Sequence, residues 1–484
     1  MNIRMIGGIL SRILGVEAFF MLPSLLLALA DGQTGTAYAF AATMGITAIL
    51  ALVLLLFGRK APRSFYAKEG MVCVGSAWIV MSLVGCLPFC LSGEIPSFVD
   101  AFFEMVSGFT TTGASVVPDV EALSRAVLYW RAFSHWLGGM GVLVFILAVT
   151  PSLFGAGGFS MHLLRAESPG PTVGKLAPRM KKTASILYLL YIVLTVVNVV
   201  FLLFGGMDPF DAVCTAFGTA GTGGFGNYAD SIGSFSPYIQ NVCTVFMLLF
   251  GINFSLYHLL LLGQFRPVLK NEELRLYLGL IVGGSGLIAF NVRGLYSSFG
   301  ETLRHASFQA VSIITTTGFA TVDFNVWPTF SKTILLLLMI AGACAGSTGG
   351  GLKCARILIL FKSAKRHLKR RLCPNRVELV RCNGQVVEEE VIRGTEIYFA
   401  AYGFLMLGSF LLVAIESPSV TTAFSAVLSC VNNIGPGLDA VGPAANFGFY
   451  GDFTKLVLIF DMLAGRLEIF PLFALFSAKS WKRS

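Results

Sequence analysis

Long uncharged apolar runs alternate with short polar loops along this chain. Tyr38–Gly58, Gly70–Gly93, Thr183–Met207 and Ser231–Phe265 contain no Asp, Glu, Lys or Arg. A helix crossing a bilayer needs about 20 apolar residues. The pattern predicts ten such spans, near 5–30, 38–58, 70–92, 127–150, 183–206, 238–262, 276–293, 329–352, 394–415 and 452–477. Arg12 and Glu17 interrupt the first. No small-residue cleavage site follows its apolar stretch, so it reads as a span and not as a removed signal. The expected fold class is an all-α polytopic membrane protein.

Four segments between spans share one layout: a short apolar stretch, a Gly-containing turn, then an acid. The turns are Thr110-Thr111-Thr112-Gly113, Gly221-Thr222-Gly223-Gly224, Thr315-Thr316-Thr317-Gly318 and Asn432-Asn433-Ile434-Gly435. Aligned on the last glycine, each has alanine at −12 (Ala101, Ala212, Ala306, Ala423) and a small residue at −6 (Ser107, Gly218, Ser312, Ser429). An acid follows each turn: Asp119, Asp230, Asp323 and Asp439. The second turn can be anchored on Gly223 or on Gly224; Gly224-Phe225 then matches Gly318-Phe319, which favours Gly224. The stretch before each turn is too short to span and reads as a re-entrant half helix. Non-helical backbone at membrane depth must be buried in protein or line water. Four such loops therefore predict a shared water-filled axis.

A cation on that axis must exchange its water shell for oxygens, and rings of backbone carbonyls can supply them. Glycine permits the backbone angles that aim carbonyls inward. Threonine and asparagine add side-chain oxygens or pin the loop. Carbonyl sites suit a large, cheaply dehydrated monovalent ion. Divalent sites usually use carboxylates, and no turn contains one. The candidate filter is Thr111, Thr112, Gly113, Gly221, Thr222, Gly223, Gly224, Thr316, Thr317, Gly318, Asn433, Ile434 and Gly435. The acids Asp119, Asp230, Asp323 and Asp439 would concentrate cations at the outer mouth. A single Gly-Thr cluster would read as an ordinary solvated loop; four aligned copies argue for a pore.

Composition narrows the class. Hydrophobic residues make up 55% and charged residues 13%, against about 25% charged in soluble domains. That excludes a string of soluble domains. Basic residues gather in 58–70, 163–183, 263–275, 362–393 and the C-terminal tail, which ten spans place on one side. The opposite loops carry few, such as Arg125, Arg293 and Arg304. Both termini are then cytoplasmic, and the net charge of +9 is mostly an orientation signal. The cluster Lys365, Arg366, Lys369, Arg370 and Arg371 fits anionic lipid or a cytosolic partner better than nucleic acid. The 10 cysteines lack metal-type spacing, and the five histidines are scattered. No catalytic constellation and no organic cofactor are expected.

Two features lie beyond the turns. Gly342–Gly351 holds five glycines in ten residues, a poor helix. It predicts a mobile loop beneath the filter that obstructs ion flow; close packing of small residues is the competing reading. A phosphate loop is excluded, because Leu352 separates Gly351 from Lys353. In the last span, Arg466 and Glu468 are two residues apart and do not share a helix face. Arg466 is thus expected to face the pore or another repeat. Asn253 and His258 read as packing groups or polar glue.

At Ser107–Gly113, Thr315–Phe319, Asn432–Gly437, Ala345–Lys353 and Gly465–Phe470 the chain resembles the Trk/Ktr/HKT potassium-transporter superfamily, most nearly its TrkH-type bacterial membrane subunits. The resemblance covers essentially the whole chain. It implies an N-terminal helix pair (1–69) and four span–pore-helix–span repeats around one pore (70–165, 166–265, 266–365 and 366–484). It implies potassium (and rubidium) uptake, a homodimer in the bacterial inner (plasma) membrane, and a cytosolic nucleotide-binding (NAD/ATP) regulatory ring. It assigns gating to Gly346, Ser347, Thr348, Gly349 and Gly350 and places the arginine matching Arg466 near them; Arg466 is then expected to be an internal positive barrier, with a structural ion pair as the competing reading. The second turn departs from the pattern, with Gly221 and Gly223 where the first and third have threonine, and the fourth lacks threonine. The competing class is a sodium- or proton-coupled secondary cation transporter, which broken spans and a midplane site also fit.

Overall fold

Continuous apolar runs fold as helices because, in a membrane, the backbone must satisfy its own hydrogen bonds. The computed structural model describes residues 1–59, 67–141, 180–373 and 378–481. Among these, six helices are long and apolar enough to cross a bilayer: Ile3–Ala30, Thr34–Gly58, Lys68–Ser92, Ser185–Phe204, Glu272–Val292 and Glu389–Val413. They coincide with six of the ten expected spans. The first two pack so closely that a methyl on Gly58 would lie 2.8 Å from Gly8 Cα. Apolar side chains such as Phe204, Val282, Phe404 and Leu411 remain exposed on the outer faces of these helices.

The other four expected spans, each following a Gly-containing turn, are not continuous helices. Arg125–Gly139 ends at Gly139, and 142–150 lie outside the described residues. Pro237–Phe250 and Phe254–Leu261 meet at a bend of 89°. Thr329–Ala341 gives way to a loop through Lys353. Asp452–Arg466 stops before Phe470–Phe476, with Glu468 and Ile469 both at positive φ. Hydropathy registers side chains, not the backbone that leaves the helix, so these breaks escape it. The basic loop 163–183, except for its last four residues, also lies outside the described residues, as do Lys60, Arg63, Lys482 and Arg483.

Four half helices sit between the spans: Phe98–Phe109, Pro209–Gly221, Phe299–Ile314 and Val420–Asn432. At 1.5 Å per residue they are roughly 18–24 Å long, too short for a 30 Å core. Their N-caps are Ser97, Asp208, Ser298 and Ser419, whose side chains accept from the first turn. Ala101, Ala212, Ala306 and Ala423 are all fully buried. One departure from an all-α chain is a short hairpin, in which Arg381 pairs with Val386 and Cys382 with Gln385. Asn383-Gly384 makes its turn with both residues at positive φ, a two-residue hairpin signal.

Candidate ion-conduction site

Each half helix ends in the same way. The amide N–H at the −1 position donates to the carbonyl at −6: Thr112 to Ser107, Gly223 to Gly218, Thr317 to Ser312, at 2.9 Å each, and Ile434 to Ser429 at 3.0 Å. The residue at −2 is left-handed in all four turns (Thr111, Thr222, Thr316, Asn433), and so is the last glycine (Gly113, Gly224, Gly318, Gly435). The common backbone identifies Gly224, not Gly223, as the counterpart of the other three. A left-handed residue costs roughly 1–2 kcal/mol when it carries a Cβ, so the repeated Thr, Thr, Thr and Asn at −2 need compensating contacts.

The four glycines form a closed ring. A methyl on Gly113 would fall 1.8 Å from the Gly223 carbonyl oxygen, on Gly224 2.0 Å from that of Thr317, on Gly318 2.1 Å from that of Ile434, and on Gly435 2.8 Å from that of Thr112. Each turn thus abuts the next, and the fourth returns to the first. One cavity touches Gly113, Gly224, Gly318 and Gly435 together. The predicted filter residues are brought to a single centre.

Most threonine hydroxyls brace the turns. Thr110 Oγ1 donates to the Val106 carbonyl (2.7 Å), Thr112 Oγ1 lies 2.8 Å from Thr110 Oγ1, and Asn433 Nδ2 donates to Thr112 Oγ1 (3.0 Å). Thr315 and Thr317 repeat the pairing at 2.8 Å. Thr111 Oγ1 and Asn433 Oδ1 are buried and receive no donor. The acids are more varied. Asp119 and Asp230 are exposed and Asp323 is half-buried. Asp323 accepts from the Asn325 N–H (2.9 Å), and Asp439 accepts from Ser419 Oγ and from Thr422 Oγ1 (3.0 Å). Those hydroxyls hold the Asp439 carboxyl below the usual carboxylate range.

The glycine-rich segment lies directly beneath the third turn and is packed. The Gly350 N–H donates to Thr316 Oγ1 (2.7 Å), and Lys353 Nζ donates to the Gly349 carbonyl (2.8 Å). The Cys344 N–H donates to the Gly251 carbonyl (3.1 Å), and the Phe254 N–H to that of Gly346 (3.0 Å), so the loop stitches into the bent helix pair. Asn253 caps Phe254–Leu261 there. Arg466 reaches the layer from the last broken helix. It donates to the carbonyls of Thr348 (3.0 Å), Gly138 (2.5 Å) and Gly139 (2.7 Å). It touches both the loop and the first repeat. Glu468 pairs with Arg356 (2.6 Å), and Asp461 accepts from Ser409 (2.6 Å).

Three groups escaped the sequence reading. Glu104 is fully buried behind the first turn, paired with Arg131 at 2.6 Å and holding Ser115 Oγ and the Val116 N–H. Glu273 accepts from the Ala345 N–H at 2.6 Å. His135 bridges the first half helix and the second turn. Ionisable residues inside apolar segments were the available signal for Glu104 and His135; Glu273, in the polar stretch Lys270–Arg275, carried no such mark.

The TrkH cation transport protein family model matches residues 38–281 and 296–483. The Trk system potassium uptake protein TrkH of Escherichia coli (strain K12) is 38% identical over 459 residues, covering 93% of each chain. Its namesake in Halomonas elongata is 36% identical over all of both. The crystal structure of the potassium transporter TrkH from Vibrio parahaemolyticus superposes with a TM-score of 0.88 over 100% of both chains, at 33% identity.

Proposed function

The chain belongs to the TrkH family of cation transport proteins, multi-pass membrane transporters and not enzymes, and on that footing we propose that it is the pore-forming subunit for potassium uptake. Potassium, the cargo, crosses on the axis of the ring formed by Gly113, Gly224, Gly318 and Gly435. That closed ring of carbonyl-bearing turns is the observation that carries the reading. Two further features support it. Four half-helix C-termini converge at the turns, each bringing roughly −0.5 of a charge. Thr111 Oγ1 and Asn433 Oδ1, at the −2 positions of the first and fourth turns, are buried oxygens that accept from no donor. An ion leaving water finds preplaced carbonyl oxygens there in exchange for its hydration shell.

The acids Asp119, Asp230, Asp323 and Asp439 mark the outer mouth, with both termini cytoplasmic. Residues 346–350 form the inner gate, and Arg466 holds it while opposing cations with its charge. The four repeats begin near residues 70, 166, 266 and 366. The assembly is a homodimer whose basic cytoplasmic face, around 365–371, meets a nucleotide-binding regulatory ring.

The test is flux into liposomes containing the purified full chain, comparing K⁺, Rb⁺, Na⁺ and Li⁺. K⁺ and Rb⁺ should pass in preference to Na⁺ and Li⁺, driven by voltage alone. Equal flux of all four ions overturns the filter. Uptake that requires a Na⁺ or proton gradient replaces the pore with a coupled transporter.

A further inference from the structure

The second turn lacks the hydroxyl pair that braces the first and third, because Gly221 and Gly223 stand where Thr110, Thr112, Thr315 and Thr317 stand elsewhere. The space is already taken. A methyl on Gly223 would fall 2.2 Å from His135 Cγ, and a methyl on Gly221 2.2 Å from the His135 carbonyl oxygen. His135 belongs to the helix Arg125–Gly139 that follows the first turn.

Its ring is fully buried and uses both nitrogens. Nδ1 lies 2.7 Å from the Gly108 carbonyl oxygen, and the Phe225 N–H lies 3.2 Å from Nε2. A carbonyl can only accept and an amide N–H can only donate. The imidazole is therefore neutral with its proton on Nδ1. The ring also lies 4.2 Å from that of Phe225, and the Arg131 guanidinium lies over the Phe225 ring at 4.2 Å. Phe225 immediately follows Gly224, so this one side chain ties the end of the second turn to the first half helix.

We propose that His135 is the positioning residue of the second turn: its imidazole sets the Gly223 and Gly224 carbonyls through Phe225, in place of the threonine pair, and so sets ion selectivity. This rests on the filter reading above. It accounts for a turn that departs from its siblings while keeping their backbone angles.

The experiment measures the Rb⁺ to Na⁺ flux ratio of the full chain in liposomes for the wild type, Gly318→Ser, His135→Ala, His135→Gln and His135→Asn. Losing the clamp in His135→Ala should lower the ratio by roughly tenfold or more, the size of one buried hydrogen bond. Glutamine places an acceptor near the Nε2 position and should recover the ratio to within about threefold. Asparagine reproduces only the Nδ1 side and should stay low. If alanine and asparagine both keep the wild-type ratio, His135 does not position the turn. Should His135→Ala fail to give monodisperse protein, equal ratios for glutamine and asparagine overturn the proposal. Gly318→Ser separates the two readings. If it leaves the ratio intact, the filter itself falls and this proposal with it; if it lowers the ratio while the His135 variants do not, only the positioning role falls.

Discussion

Replacing Arg466 by alanine tests the proposed inner gate most directly. The guanidinium donates to backbone carbonyls, and its bond to Thr348 (3.0 Å) fastens the glycine-rich loop. The bonds to Gly138 and Gly139 anchor the arginine to the first repeat. A hydrogen bond to a charged group contributes about 1.5–3 kcal/mol, or roughly 10- to 150-fold in the closed-to-open ratio of the loop. For any separation of about 8 Å or less, a unit positive charge raises a cation's energy by about 2 kcal/mol or more at an effective dielectric of 20. The bonds from Gly350 to Thr316 and from Lys353 to Gly349 survive the substitution, so the loop is loosened and not released. We expect Rb⁺ flux into liposomes to rise by at least tenfold in Arg466→Ala. Arg466→Lys keeps the charge but loses the fork, and should fall between the two. Flux within about twofold of the wild type in Arg466→Ala would refute both the fastening and the barrier.

Other perturbations follow from the same geometry. Gly113→Ala places a methyl 1.8 Å from the Gly223 carbonyl in a left-handed backbone, and should abolish selective Rb⁺ uptake; near-normal selectivity would show that the ring is not the conduction path. Glu104→Gln leaves the Arg131 charge buried without its ion-pair partner, and should cost about 3–5 kcal/mol, read as a lowered thermal midpoint in detergent. An unchanged midpoint would contradict the burial of that pair. Ser419→Ala removes the main hydrogen bond that keeps the Asp439 carboxyl low. A depressed carboxyl is charged, and contributes, above its unfolded value, and loses that contribution only as pH falls through its lower folded value. The variant should therefore lose uptake at a higher pH than the wild type on the acid side; superimposable pH profiles would separate Asp439 from the mouth.

The repeat of the turns is visible in the amino-acid order because ring geometry imposes it. Every turn must put one residue and one glycine in the left-handed region at fixed spacing, and every half helix must present alanine at −12 to its neighbours. The choice between Gly223 and Gly224 rests in the sequence on one neighbour, Phe225, which matches Phe319 after Gly318; the backbone angles agree with Gly224. The reason for glycine at 221 and 223 is hidden more deeply. It lies in His135, 90 residues from its hydrogen-bond partner Phe225, and no local pattern connects them. Glu104 and Arg131 are likewise 27 residues apart in apolar company.

The four expected spans that fail as continuous helices fail in one place. Each helix after a turn breaks near residues 140, 252, 342 and 467, at the layer beneath the ring. Glycines stand at every break (Gly138, Gly139 and Gly141, then Gly251, Gly342 and Gly465), but only at the third do they gather densely, five in the ten residues Gly342–Gly351. The others sit in runs whose hydropathy would suit an unbroken helix, and their backbone groups are satisfied by distant partners. The freed carbonyls of Gly138 and Gly139 accept from Arg466, and that of Gly251 accepts from the Cys344 N–H. A continuous helix would have kept those carbonyls for itself. Local preference yields where a site needs exposed backbone. The broken layer thus supplies the backbone carbonyls that hold a charged arginine beside a glycine-rich loop among apolar helices.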